Sequence, residues 1–257
     1  MKPAPGKRPL KTLERVLSKA GLGSRTEARK WIAAGRVRVN GRLIQTPDHW
    51  VDLERDKVTL DDKPVRSAER VYVLLYKPTG ILTTFKDPEG RPTIYDLIRD
   101  MHRWMIPVGR LDQDTSGLLL LTNDTRFAER VTNPDYKVPK TYLVKASTLL
   151  ADSQLDELRK GVLLSDGPTL PARVERLRDS AKHSFIEITI TEGRNRQVRR
   201  MIEAVGSTVS KLVRTQIGAL RIGDLPIGKY RELTAAEVDQ FMPRPARPNS
   251  RRNGRGK

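Results

Sequence analysis

Residues 107–124 read PVGRLDQDTSGLLLLTND, and this stretch decides how the rest of the chain is parsed. Leu118 to Thr122 is an apolar, strand-length run closed by the turn residues Asn123 and Asp124. Just upstream, Gly109 and Arg110 place a turn and a cation before Leu111-Asp112. Asp112 therefore stands at the mouth of a buried strand with a guanidinium two residues away. That is a prepared position for an acid, and it makes Asp112 the first candidate for chemistry.

Working outward from it, strands alternate with helices. Val71 to Tyr76 is an apolar strand, and Lys77-Pro78-Thr79-Gly80 reads as the turn that leaves it. Thr141 to Ala146, Phe185 to Thr191 and Val209 to Val213 are further strands, rich in β-branched and apolar residues. Helices are expected near 126–131, 152–160, 195–205 and 235–241. There are too few helices to cross over every strand pair, so the sequence predicts an α+β domain on a mostly antiparallel mixed sheet with flanking helices.

A separate small unit precedes it. Leu13, Val16, Leu17 and Ala20 recur at helical spacing, and Gly21 and Gly23 end that helix. Ser24 then opens a second helix as N-cap, with Glu27 completing a capping box and Ala28, Trp31 and Ile32 forming its apolar side. Arg36-Val37-Arg38-Val39 alternates into Asn40-Gly41, a strong hairpin signal, and Arg42-Leu43-Ile44 returns. The polar segment 61–70, with Pro64, reads as a linker. These signals divide the chain into an α/β domain at 10–66, a larger domain at 67–241 and a basic, apolar-poor tail at 242–257, expected to be disordered until it meets its partner.

Charge identifies the class of partner. The 257 residues carry 49 Lys plus Arg against 31 Asp plus Glu, a net +18, which points to a polyanion. Residues 1–46 hold +10 and the last 17 residues +6, so the excess sits mainly at the two ends. With no Cys and only three scattered His, disulfides, thiolate nucleophiles and a Cys- or His-built metal site are excluded. No window approaches the roughly 18 apolar residues of a membrane span, and the basic start is followed by no signal-type apolar run. A cytoplasmic protein that does not engage membranes is the reading.

The 107–124 stretch resembles the signature of the RsuA/RluB group of ribosomal RNA pseudouridine synthases. In that group the Asp of G-R-L-D is catalytic and the text runs on into a strand ending T-N-D. Thr125 departs from the glycine usual there, which alters a turn rather than the chemistry. The segment SRTEARKWIAAGRVRVNGRLI resembles the RNA-binding domain first described in small-subunit ribosomal protein four, whose second helix and hairpin present the basic face. The resemblance implies a pseudouridine synthase fold and isomerisation of uridine without a cofactor or metal. KTLERVLSKAGLGSR and TNPDYKVPKTYLV are closer to the large-subunit enzymes, so the implied partner is 23S ribosomal RNA or a pre-ribosomal particle, bound by a monomer.

It also implies roles for particular residues. Asp112 is the nucleophile or base. Arg199, in EGRNRQVRRMIEAVG (192–206), is its cationic partner. The helical wheel agrees, since Val198, Met201, Ile202 and Val205 form one apolar face with Arg199 at its border, whereas Arg196 and Arg200 point away. Tyr142 matches the tyrosine that stacks on the target base and handles the C5 proton. Leu212 lines the uracil pocket, Arg110 splays the RNA or holds phosphate, and Arg194 belongs to the substrate-binding set. Arg25, Arg29, Lys30, Arg36 and Arg38 match the RNA-binding surface.

Two rival readings use the same residues. Asp112-Gln113-Asp114-Thr115 fits the D-x-D-x-T nucleophile of magnesium-dependent phosphatases of the haloacid-dehalogenase type. There the motif ends an apolar strand, whereas here the strand follows. A non-catalytic RNA-binding or ribosome-assembly protein would explain the charge equally well, but has no need of Asp112, Tyr142 and Arg199 together.

Overall fold

The computed structural model describes residues 10–52, 55–66, 69–101 and 103–242. The tail expected from 242 lies, from 243 onward, outside the described residues.

In the N-terminal unit, β1 (Lys11–Thr12) pairs with β4 (Trp50–Val51) and leads into helices α1 (Leu13–Lys19) and α2 (Arg25–Ala33). The capping box forms as read: Glu27 N donates to Ser24 Oγ at 3.1 Å and Ser24 N to the Glu27 carboxylate at 2.8 Å. The hairpin β2 (Val37–Val39) and β3 (Arg42–Leu43) turns at Asn40-Gly41, both at positive φ. One correction concerns the linker. Residues 58–64 form a second hairpin, β5 (Val58–Leu60) and β6 (Lys63–Pro64), on the free edge of β2. Its turn is Asp61-Asp62, both left-handed, the backbone that a tight hairpin requires and that Asp tolerates. Leu13, Leu17, Ala28, Ile32, Val37 and Val58 fill the core beneath.

The larger unit holds β7 (Tyr72–Lys77), β8 (Ile106–Val108), β9 (Ser116–Thr122), α3 (Thr125–Thr132), β10 (Lys140–Ala146), α4 (Asp152–Lys160), β11 (Leu163–Leu164) and β12 (Gly167–Pro168). It continues through β13 (Arg173–Asp179), β14 (Ser184–Ile190), α5 (Gln197–Ala204), β15 (Val209–Ile217), β16 (Leu220–Arg221), β17 (Tyr230–Glu232) and α6 (Ala235–Asp239). The main sheet runs β13-β14-β10-β15-β9-β7-β17, with β8 added to β9 and β16 to β15. Among these strands only β15 and β9 pair in parallel, through Val213 with Ser116 and Arg214 with Gly117. The mixed but mostly antiparallel sheet is therefore as expected. The charged edge strand β13, RVERLRD, was not legible because it alternates no apolar face.

Three apolar clusters flank the sheet. Helices α4 and α5 cover β10 and β14, α3 and α6 cover one face of β7 and β9, and the 3-10 turns Ile94–Leu97 and Arg99–Met101 with Met105 cover the other. Every residue of β9 is buried, so this strand is clamped on both faces. Gly117 is required where β9 meets β15. At φ +114° its backbone comes so close that a Cβ would lie 2.2 Å from the Arg214 carbonyl oxygen.

Candidate active site

The loop 109–115 leaves β8 and returns into β9 on the edge where β15 docks. Gly109 begins it at φ +75°. Leu111 is buried and doubly held by Thr83, whose Oγ1 donates to its carbonyl at 2.7 Å and accepts from its amide at 3.3 Å. Beneath the loop sits Lys77. It was read as a turn residue but is fully buried at the end of β7. Its Nζ donates to the carbonyls of Pro78 (3.0 Å), Asp112 (3.0 Å) and Thr115 (2.9 Å). Three acceptors saturate the ammonium, while burial, only partly countered by Asp112 and Asp114, pushes its pKa down to about 8. A buried lysine thus templates the backbone that carries Asp112.

The Asp112 side chain remains about a quarter exposed, at 27%. The cation beside it is Arg196, with Nη1 at 3.8 Å from Asp112 Oδ2. Arg196 also forks onto both Asp114 oxygens at 3.2 and 3.1 Å. This corrects the wheel reading, which pointed Arg196 away. Helix α5 begins only at Gln197, and Arg196 is its left-handed N-cap at φ +47°, so its side chain leaves the helical path and turns back to the acids.

Arg199 is buried and lies in the same cluster, although its ion pair is with Asp114 (3.2 Å) rather than with Asp112. Its Nη2 donates to the Asp114 carbonyl at 3.0 Å and its Nη1 to that of Val209 at 3.2 Å. Burial lowers the Arg199 pKa, with Asp114 opposing. Burial would raise the Asp114 carboxyl, but Arg196 and Arg199 outweigh it and hold it below its ordinary value. Asp114, which sequence reasoning considered only as part of a phosphatase motif, is thus the hub joining both arginines to the loop. Arg200 does point away, forking onto Asp166 at 2.8 and 3.1 Å.

A cleft of about 350 Å³ opens between this loop and the start of α5. Tyr142, Ile190 and Leu212 form its apolar wall, facing Asp112, Thr115 and Arg110. Tyr142 bridges two of the apolar clusters, and its hydroxyl has no protein partner among the described residues. Arg110 is exposed and likewise unpaired. Arg194 contributes to the lining, but its guanidinium is committed elsewhere, to the carbonyls of Asp166, Gly167 and Pro168 and to Glu192. Those contacts clamp the β11–β12 hairpin while Arg194 lines the cleft.

The basic face of the N-terminal unit is largely paired. Arg25 (2.5 Å) and Arg29 both converge on Glu14, whose side chain is only 2% exposed. Burial would raise the Glu14 carboxyl, yet the two arginines hold it below its ordinary value. Arg36 pairs with Asp61 at 2.5 Å and Arg38 with Asp62 at 3.6 Å, while Lys30 is exposed without a partner among the described residues. The Asp61-Asp62 turn, read as linker, supplies both of the hairpin's counter-charges.

Residues 71–204, slightly more than half of the chain, match the family described as RNA pseudouridylate synthase. The chain belongs to that family. Residues 12–58 match the S4 domain, which gives this synthase an RNA-binding N-terminal unit. The ribosomal large subunit pseudouridine synthase B of Bacillus subtilis (strain 168) is 41% identical over 234 residues, covering 90% of this chain and 96% of the relative. An RNA pseudouridine synthase of Aquifex aeolicus (strain VF5) is 40% identical over 231 residues, covering 90% and 93%. A solved pseudouridylate synthase superposes with a TM-score of 0.65 at 32% identity, over 90% of this chain and 99% of that one. The synthase is therefore an isomerase acting on RNA, and its mixed sheet is the fold of that family. No helix among the described residues is long and apolar enough to cross a membrane.

Proposed function

We propose that this synthase converts a uridine of large-subunit ribosomal RNA to pseudouridine, with Asp112 as the reacting carboxylate. The observation that carries the reading is Asp112 itself, held by a templated backbone beside Arg196 and facing an apolar wall of Tyr142 and Leu212. The reaction breaks the N1–C1′ bond, turns the base and joins C5 to C1′. The C5 proton leaves to solvent, N1 takes one up, and no other atom is gained or lost.

Each step finds a group in the cleft. Extrusion of the nucleotide from its stack is a prerequisite, since a base inside a helix cannot turn. Tyr142 offers a ring face to the displaced uracil and a free hydroxyl for the C5 proton. Arg196, 3.8 Å from Asp112, and Arg199, paired with Asp114, set two cations against the loop's carboxylates where anionic RNA would lie. Arg110, unpaired on the rim, is placed for a phosphate. Two routes fit the geometry, attack of Asp112 on C1′ or removal of a ribose proton by Asp112. Neither needs a cofactor.

The similarity to the large-subunit enzyme of B. subtilis over nearly the full length supports large-subunit ribosomal RNA, 23S in this reading, or a particle containing it, as substrate; that the protein acts as a cytoplasmic monomer is part of the same proposal. The test is tritium release from C5-labelled ribosomal RNA by wild type and Asp112→Asn. Release by wild type alone is expected. Appreciable release by the variant would remove Asp112 from the reaction.

A further inference from the structure

A half-exposed aromatic ring stands on the segment whose Thr83 holds Leu111 of the Asp112 loop. Phe85 is 46% exposed, yet its ring is fixed edge-on against Trp104 (centroids 4.4 Å apart) and Tyr95 (5.2 Å). Those two rings stack on each other at 5.6 Å, and the Tyr95 hydroxyl is anchored to the Met105 carbonyl at 2.8 Å. Backbone order matches. The loop carrying Phe85 is closed at its base by Leu82 N to Pro92 O (3.0 Å) and Ile94 N to Leu82 O (2.9 Å). Inside it, Asp87 accepts from the amides of Glu89 and Arg91 and from the Arg91 side chain. An apolar ring kept half in water by so many restraints has already lost the freedom that stacking would otherwise cost.

Location and charge indicate the occupant. Thr83, two residues before Phe85, is the residue that grips Leu111, so Phe85 lies within about 7 Å of chain from the Asp112 loop's support. Lys86, next in the chain to Phe85, and Arg110, next to the Leu111 that Thr83 grips, are both exposed and unpaired among the described residues, so two cations stand on the segments that meet here. On the far side, Trp104 N donates to the Gly21 carbonyl at the end of α1, which joins the ring cluster to the S4 unit. The ring cluster is thus tied to the S4 unit through Trp104 and to the Asp112 loop through Thr83.

We infer that Phe85 is a stacking platform for an unpaired nucleobase flanking the target nucleotide, with Lys86 and Arg110 taking the adjoining phosphates. The inference rests on the RNA-modifying reading above and extends it to the substrate's neighbouring bases. Stacking on one aromatic ring tolerates any base, so the platform contributes affinity and strand path rather than sequence choice.

Phe85→Leu keeps the apolar contact with Tyr95 and Trp104 but removes the π-face, and Phe85→Trp keeps both. Full-length proteins would be compared in filter binding and tritium release on an in vitro transcript of large-subunit ribosomal RNA. The leucine variant should bind roughly 5- to 100-fold more weakly, with KM raised, kcat at saturation retained and the tryptophan variant near wild type. Wild-type affinity for Phe85→Leu, or equal weakness of both variants, would overturn the platform, the latter by showing that the ring serves internal packing. Absence of turnover by the wild type, with binding still sensitive to Phe85→Leu, would sink the proposed reaction while leaving the platform standing.

Discussion

Lys77, fully buried, donates to the main-chain carbonyl of Asp112 at 3.0 Å, so the position of the carboxylate proposed to react is set by an ammonium group from the neighbouring strand. Lys77→Met should take this donor from the Pro78 and Thr115 carbonyls, with Asp112 O keeping only Thr115 N (3.1 Å), while relieving the cost of a buried charge. The net loss expected is roughly 2 to 4 kcal/mol of stability. Turnover should fall at least about tenfold even where the variant is folded, because a small misplacement of a reacting group is costly. Chemical denaturation and tritium release at low temperature would check both.

The same lysine gives a pH dependence. Its folded pKa is about 8 against an ordinary 10.5, so its contribution to stability is complete above 10.5 and is lost as the pH falls through about 8. Unfolding midpoints of wild type should therefore rise relative to Lys77→Met across that window. Catalysis should move the other way. Above about 8 the neutral amine has two protons for three carbonyls, the loop loosens, and the rate declines. A rate profile flat to pH 9.5 would contradict this.

Arg196 and Arg199 should separate in kinetics. Arg196 is partly exposed and spends its guanidinium on Asp112 and Asp114, so Arg196→Ala should lower kcat by roughly 10²-fold with little change in Tm. Arg199→Ala also orphans the Val209 and Asp114 carbonyls, and should lower Tm by roughly 5 to 10 °C as well as kcat. Arg200→Ala breaks only the pair with Asp166 and should be near wild type. Equal kinetic effects of all three would dissolve the distinction.

Much of this was legible in the chain because the signals were local. The Ser24 capping box, the Asn40-Gly41 hairpin, the apolar run into β9 and the helix over 152–160 each depend on neighbours a few residues away. What escaped was long-range or lay outside regular backbone. Lys77 has the look of a turn residue until the Asp112 loop, 35 positions on, folds over it. Arg196 was misassigned because a helical wheel assumes helical backbone and this residue is left-handed. Arg194 lines the cleft, but its carbonyl partners at 166–168 had no sequence signal, being some 27 positions away.

The N-terminal arginines carry a prediction that follows from Glu14. Arg25→Ala with Arg29→Ala removes both cations from a carboxylate only 2% exposed, leaving a buried, uncompensated charge. Breaking such a pair costs roughly 3 to 5 kcal/mol, comparable to the whole stability of a unit this small, so the double variant should unfold the S4 unit rather than merely weaken RNA binding. Acid should narrow the difference. The folded Glu14 pKa lies below the ordinary 4.5, so its contribution is present above 4.5 and lost as the pH falls through the folded value, and wild type then converges on the variant. Lys30→Ala is the cleaner probe of binding, because the exposed Lys30 has no hydrogen-bond or ion-pair partner among the described residues. That change should leave Tm unaltered and reduce the slope of log affinity against log salt by roughly 0.7, the effect of one released counterion on single-stranded RNA. If Lys30→Ala left the salt slope untouched while the folded protein still bound RNA, this helix face would not be the one that meets phosphate.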